Sequence, residues 1–173
     1  MRKRSDLASH VHGAIFLAVA GAVWCGSALP ASAQDVGLGR DAWLHVANCS
    51  ECHGWMGDGA QEDPRAPRGA NLRETKLNAE QIAEVILCGR PGTPMPAFDQ
   101  RAYTDARCYG MAAGQLGNAE PTISQIPLTK RHAQALAAFI LAEFTGKGAP
   151  TLETCTALLG AAAARCGEFR RTP

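Results

Sequence analysis

The sequence predicts an all-α protein, and three observations carry that prediction. Three stretches between Gly39 and Phe144 place apolar residues at the i, i+3, i+4 spacing of one helix face. Two of them open on residues suited to cap a helix, Asn78 and Thr129. No stretch reads as a strand, and there is no internal repeat.

The N-terminal residues read as a secretory leader. Arg2, Lys3 and Arg4 are positive, Gly13 to Trp24 is an apolar run of 12 residues, and Ala31-Ser32-Ala33 is a small-residue cleavage site. Twelve apolar residues are too few to span a bilayer, so an uncleaved anchor is the weaker choice. The expected mature chain starts at Gln34 and keeps no membrane anchor. Loss of Arg2, Lys3, Arg4 and Asp6 would leave 14 cations against 15 anions. Nothing in that balance suggests nucleic acid or an anionic membrane surface as a partner. The remaining lysines are Lys76, Lys130 and Lys147, too few for a ring that docks an acidic partner.

The first predicted helix, Gly39 to Val46, has Trp43, Val46 and Ala47 on one side and leads straight into Cys49-Ser50-Glu51-Cys52-His53. This C-x-x-C-H run is the pattern that attaches c-type haem. Two thiols can add to the two vinyl groups, and the adjacent imidazole can ligate the iron. A thioredoxin-like redox pair would need a βαβ setting, and a zinc site would need a second close ligand pair; neither is visible.

Gly54 to Leu72 has several Gly and Pro residues and is expected to be a loop wrapped around the cofactor, a kind of loop that packing on the cofactor can order in place of its own hydrogen bonds. The second helix runs from the Asn78 cap, with Gln81 completing a capping box, to Cys88; Gly89 and Pro91 end it. Three prolines then stiffen Pro91 to Pro96 around Met95. A thioether held this way is the best candidate for a second axial ligand. Met56, Met111, His132 and His45 remain alternatives. Residues 99–127 form a long, weakly patterned insertion. Thr129 opens the third helix, which carries Ala133, Leu136, Ala137, Ile140 and Phe144 to Gly146. The tail from Thr151 to Arg165 is expected to be helical, with Gly160 as its weak point.

Four further cysteines in an exported chain suggest two disulfides. Cys88–Cys108 would close the loop that carries Met95. Cys155–Cys166 has a difficulty: a straight helix would hold the two roughly 16 Å apart, whereas a disulfide needs Cα atoms within about 7 Å. This pairing therefore requires a break near Gly160. An unbroken tail would require cross-pairing with the insertion, and free buried thiols are the remaining possibility.

Gly39 with Trp43, the Cys49–Gly54 run, Asn71-Leu72, Met95-Pro96 and an amphipathic C-terminal helix together resemble a class I cytochrome c. The resemblance covers roughly residues 37–148. It implies the cytochrome c fold, three main helices around one covalent haem c, here with an inserted loop and a helical tail. It implies that the Gly39 and Trp43 side of the first helix meets the Leu136 to Ile140 face of the third. It also implies haem binding by Cys49, Cys52, His53 and Met95, with His53 and Met95 on the iron. Many family members have a proline before the Asn-Leu pair whose carbonyl binds the proximal histidine; Ala70 stands there in this chain.

The domain expectation is therefore a signal peptide over 1–33, a cytochrome domain over 34–148 with the insertion at about 99–127, and a tail over 149–173 packed on it. The functional expectation is a periplasmic, monomeric single-haem carrier that docks transiently with redox partners. The alternatives are a haem subunit of a periplasmic dehydrogenase, a haem enzyme, and a gas sensor.

Overall fold

The computed structural model describes residues 33–171. The expected leader lies outside the described residues save for Ala33, where the first helix begins. Five α-helices follow: α1 (Ala33–Asp41), α2 (Cys49–His53), α3 (Ala79–Cys88), α4 (Lys130–Glu143) and α5 (Leu152–Leu159). Among the described residues there is no strand, only the isolated bridges Ala97–Ile123 and Cys108–Met111. The molecule is all-α, with cytochrome c-like helices.

α1 starts earlier than its apolar spacing predicts, and it does not run directly into Cys49. Its end widens into a π-turn, Ala42–Val46, where the Ala47 N–H donates to the Ala42 carbonyl at 2.9 Å. Asn48 then takes a left-handed conformation, φ 52°, and re-aims the chain into α2. Asn is among the few non-glycine residues that visit this region readily.

Both expected caps are present. The Asn78 side chain accepts from the Gln81 N–H, and the Gln81 side chain reciprocates. At α4 the Thr129 hydroxyl accepts from the His132 N–H, and the His132 ring faces the Thr129 N–H. His132 is thus occupied as a capping group.

α1 and α4 cross at Gly39, where a β-carbon would lie 2.1 Å from the Ala135 carbonyl oxygen. No side chain fits that crossing. The α4 atoms nearest Gly39 belong to Ala135 and Phe139, and Trp43 packs on Phe139 within the expected Leu136 to Ile140 stretch. Leu136 and Ile140 are left to line a cavity beside the crossing. Trp43, Phe139 and Phe144 form the centre of the core, with ring centroids 5.0–6.0 Å apart. Burying each phenylalanine contributes about 1.5–3 kcal/mol.

Arg73 is the chief buried charge, 5% exposed. Its guanidinium donates to the carbonyls of Met56, Lys147 and Gly148, while its own carbonyl accepts from the Gly146 N–H. It ties the chain after His53 to the chain after α4.

The insertion has a small core of its own. Tyr103, Cys108 and Ala102 pack on Cys88 and Ala97. The Tyr103 hydroxyl donates to the Cys88 carbonyl, and the Tyr109 hydroxyl to the Gly89 carbonyl. Cys88 is bonded to Cys108, with Cα atoms 5.4 Å apart. The tail breaks at Gly160, φ 53° and ψ −117°, a region open to glycine, and continues as a 3₁₀ segment over Gly160–Arg171. The break brings Cys155 and Cys166 to a Cα separation of 5.7 Å, and they are bonded.

Candidate functional site

One cavity of about 690 Å³ lies between α2, α3, α4 and the loop that follows α3. That volume falls in the range of small-molecule and cofactor sites. Its walls include Cys49, Cys52, His53 and Met95. Of the competing ligand candidates, Met56 is buried in the main core, Met111 pairs with Cys108 in the insertion, and His132 caps α4. His45 lines a different cavity.

Local structure explains why α2 can present its groups. A single short helix puts Cys49, Cys52 and His53 on adjacent turns. Gly54, in a left-handed conformation, then ends it. The Cys49 and Cys52 thiols are unbonded, although all four other described cysteines are in disulfides. Burial pushes the Cys49 thiol up to about 12, and burial together with the Glu51 charge raises Cys52. Both therefore sit in the wall as neutral thiols.

His53 is oriented by its Nδ1, which lies 2.8 Å from the Ala70 carbonyl oxygen. The carbonyl fixes the tautomer with the proton on Nδ1 and leaves Nε2 as the lone-pair nitrogen. Burial lowers the imidazole pKa, which favours the neutral ring a metal requires. Gly69 makes this approach possible: a β-carbon there would be 2.7 Å from His53 Nδ1 and 2.8 Å from the Cys52 carbonyl oxygen. The substitution of alanine for proline before Asn71-Leu72 thus leaves the carbonyl contact intact.

The loop over residues 54–72 departs from expectation. It makes its own backbone bonds, from Gly59 to the His53 carbonyl, Glu62 to Glu51, Gly69 to Cys52 and Leu72 to Gly57, at 2.7–3.0 Å. These bonds fold it back on α2.

Met95 is held from two sides. The Arg90 N–H donates to the Met95 carbonyl, and the Met95 N–H to the Thr93 hydroxyl. Ala97 exchanges bonds with Thr122 and Ser124 of the insertion. The insertion is therefore the outer support of the Met95 loop, through these backbone bonds as well as the Cys88–Cys108 bond expected from the sequence.

The donor set fits a flat apolar cofactor tethered at one edge. Two neutral thiols, one oriented imidazole and one thioether meet in a cavity walled by Trp43, Leu77, Ile82, Ile86, Leu136 and Ile140. Among the described residues no group of three or more His, Cys, Asp or Glu could hold a bare metal ion.

Residues 39–113 match the model of the family described as cytochrome C oxidase, cbb3-type, subunit III. No curated protein and no solved structure matches the chain. The match supports a class I c-type cytochrome-like, monohaem family, and a domain of that kind implies covalently bound haem c with its iron.

Proposed function

We propose that the protein is a periplasmic electron carrier that uses one haem c. A cytochrome c domain suggests haem-based electron transfer and implies redox partners in general. The observation that carries the finer reading is the single cavity in which two free thiols, an oriented imidazole and a proline-flanked thioether converge. In this reading Cys49 and Cys52 would hold the haem through thioether bonds, and His53 Nε2 and Met95 Sδ would be the ligands to its iron. Bound haem supplies a one-electron ferric/ferrous couple.

The chain's own residues then do four things. The Ala70 carbonyl holds His53 in register. Trp43, Leu136 and Ile140 exclude water from the proximal wall. The Arg90–Met95 and Ala97–Thr122 bonds hold the thioether in place through the change of charge. The Cys88–Cys108 bond clamps α3, which ends just before Met95, to the insertion. Docking to partners is transient, with an interface below about 1,200 Å², and the protein acts as a monomer.

Potentiometric titration of Met95→Ala tests the ligand assignment. The thioether favours ferrous iron, so the variant's midpoint should fall and its ferrous form should bind carbon monoxide. An unchanged potential would remove Met95 from the iron.

A second reading is a fixed subunit of an oxidoreductase, because the matched family's description names an oxidase subunit. Co-purification of the native mature protein with a larger enzyme would favour it; elution as a monomer favours the carrier.

A further inference from the structure

A second cavity, of about 520 Å³, lies on the far side of α1, between that helix, the residues after His53 and the tail. Its lining divides into two halves. Leu44, Leu159 and the Trp55 indole are apolar; Arg40, Arg165 and His45 are donors. Asp41 is the one carboxylate in the wall, against two guanidinium groups. Among the described side chains, the ion pairs are those of Asp63 with Arg65 and of Asp99 and Asp105 with Arg107, and none involves Arg40 or Arg165. Arg40 gives one of its five N–H groups to the Leu158 carbonyl. Arg165 lies over the Trp55 ring, 4.2 Å from its centroid.

Trp55 contributes its ring to the wall; its Nε1–H has under 1 Å² exposed and is closed to the cavity. An anion in the cavity would meet the two guanidinium groups. The tail's construction supports the same conclusion. The turn at Gly160 and the Cys155–Cys166 bond place Arg165, the neighbour of Cys166, over the indole.

We propose that this cavity binds a small organic acid, with its carboxylate between Arg40 and Arg165 and its apolar body against Leu44, Leu159 and the Trp55 ring. The volume is in the range of organic-ligand sites, and a bare inorganic anion would leave the apolar half unfilled. Trp55 is two residues from His53, so the ligand would sit against the back of the cofactor-binding loop without touching the cavity that holds Met95.

Benzoate titration of the ¹⁵N-labelled, ferrous mature holoprotein tests this, read on the Trp55 indole N–H resonance. The expected result is a saturable shift of that resonance, with inorganic phosphate at least tenfold weaker. Arg40→Gln with Arg165→Gln should weaken benzoate at least tenfold while the haem spectrum stays unchanged. If loss of the Leu158 contact unfolds the double variant, Arg165→Gln alone should weaken it at least threefold. No saturable shift, equal affinity in the variants, or phosphate binding as tightly as benzoate would each overturn the proposal.

Discussion

Gly39→Ala should destabilise the protein, while Gly37→Ala, two residues earlier in the same helix, should not. Taken alone, either change favours α1, because alanine gains up to about 1 kcal/mol over glycine in a helix. The surroundings decide the outcome. A β-carbon at Gly37 has nothing within 4 Å. At Gly39 it would lie 2.1 Å from the Ala135 carbonyl oxygen and 2.6 Å from Phe139 Cβ, where ordinary contact begins at 3.4 Å. The obstacle is backbone, which cannot rotate away, so α1 and α4 must part by about 1.3 Å. Parting them loosens Trp43 against Phe139 and Phe144. Overpacking of this kind costs about 1–3 kcal/mol, and the upper end applies because the neighbour is a carbonyl. After the helix gain, Gly39→Ala should lose about 2 kcal/mol, a fall of about 4–8 °C in Tm for a domain of this size. Gly37→Ala should be neutral or gain up to about 1 kcal/mol. Thermal unfolding of the two mature holoproteins followed by far-ultraviolet circular dichroism measures both. A Gly39→Ala protein as stable as the parent would refute the close crossing.

Two further outcomes follow from the same contacts. Cys155→Ser should lower stability by roughly 3 kcal/mol on the chain-entropy estimate for its short loop and should broaden the Trp55 fluorescence response; chemical denaturation under oxidising conditions checks it. Arg73→Met keeps the length of the side chain but strands the Met56, Lys147 and Gly148 carbonyls, so it should cost about 2 kcal/mol or more; an unchanged denaturation midpoint would show that the buried guanidinium ties nothing together.

Most of the helical frame was legible because local chemistry specifies it. Asn78 with Gln81 and Thr129 with His132 cap their helices from within four residues of sequence. The break at Gly160 was also readable, since two cysteines that need proximity flank a residue free to reverse the chain. What the sequence did not reveal depends on contacts between distant segments. The π-turn that seats Trp43 has no local signal. The close approach of Gly39 to the Ala135 carbonyl is a contact between distant segments that a helix-face count cannot resolve. Arg73 looks like an ordinary surface cation until the carbonyls of Met56 and Gly148 are placed around it. The insertion's backbone bonds beside Met95 come from Thr122 and Ser124, more than twenty residues away. At the candidate site, Cys49, Cys52 and His53 were named by their spacing, and Met95 by the prolines around it. The Ala70 carbonyl and the space beside Gly69 needed the folded loop.

The central claim is that Cys49 and Cys52 carry one haem through thioether bonds. Mass spectrometry of tryptic peptides from the mature protein tests it most directly, after alkylation without reduction. The peptide spanning residues 41–65 should carry the mass of a single haem, take up no alkylating agent at either cysteine and keep the haem through acid–acetone extraction. The same peptide found without haem, with both cysteines alkylated or bonded to each other, would contradict the account.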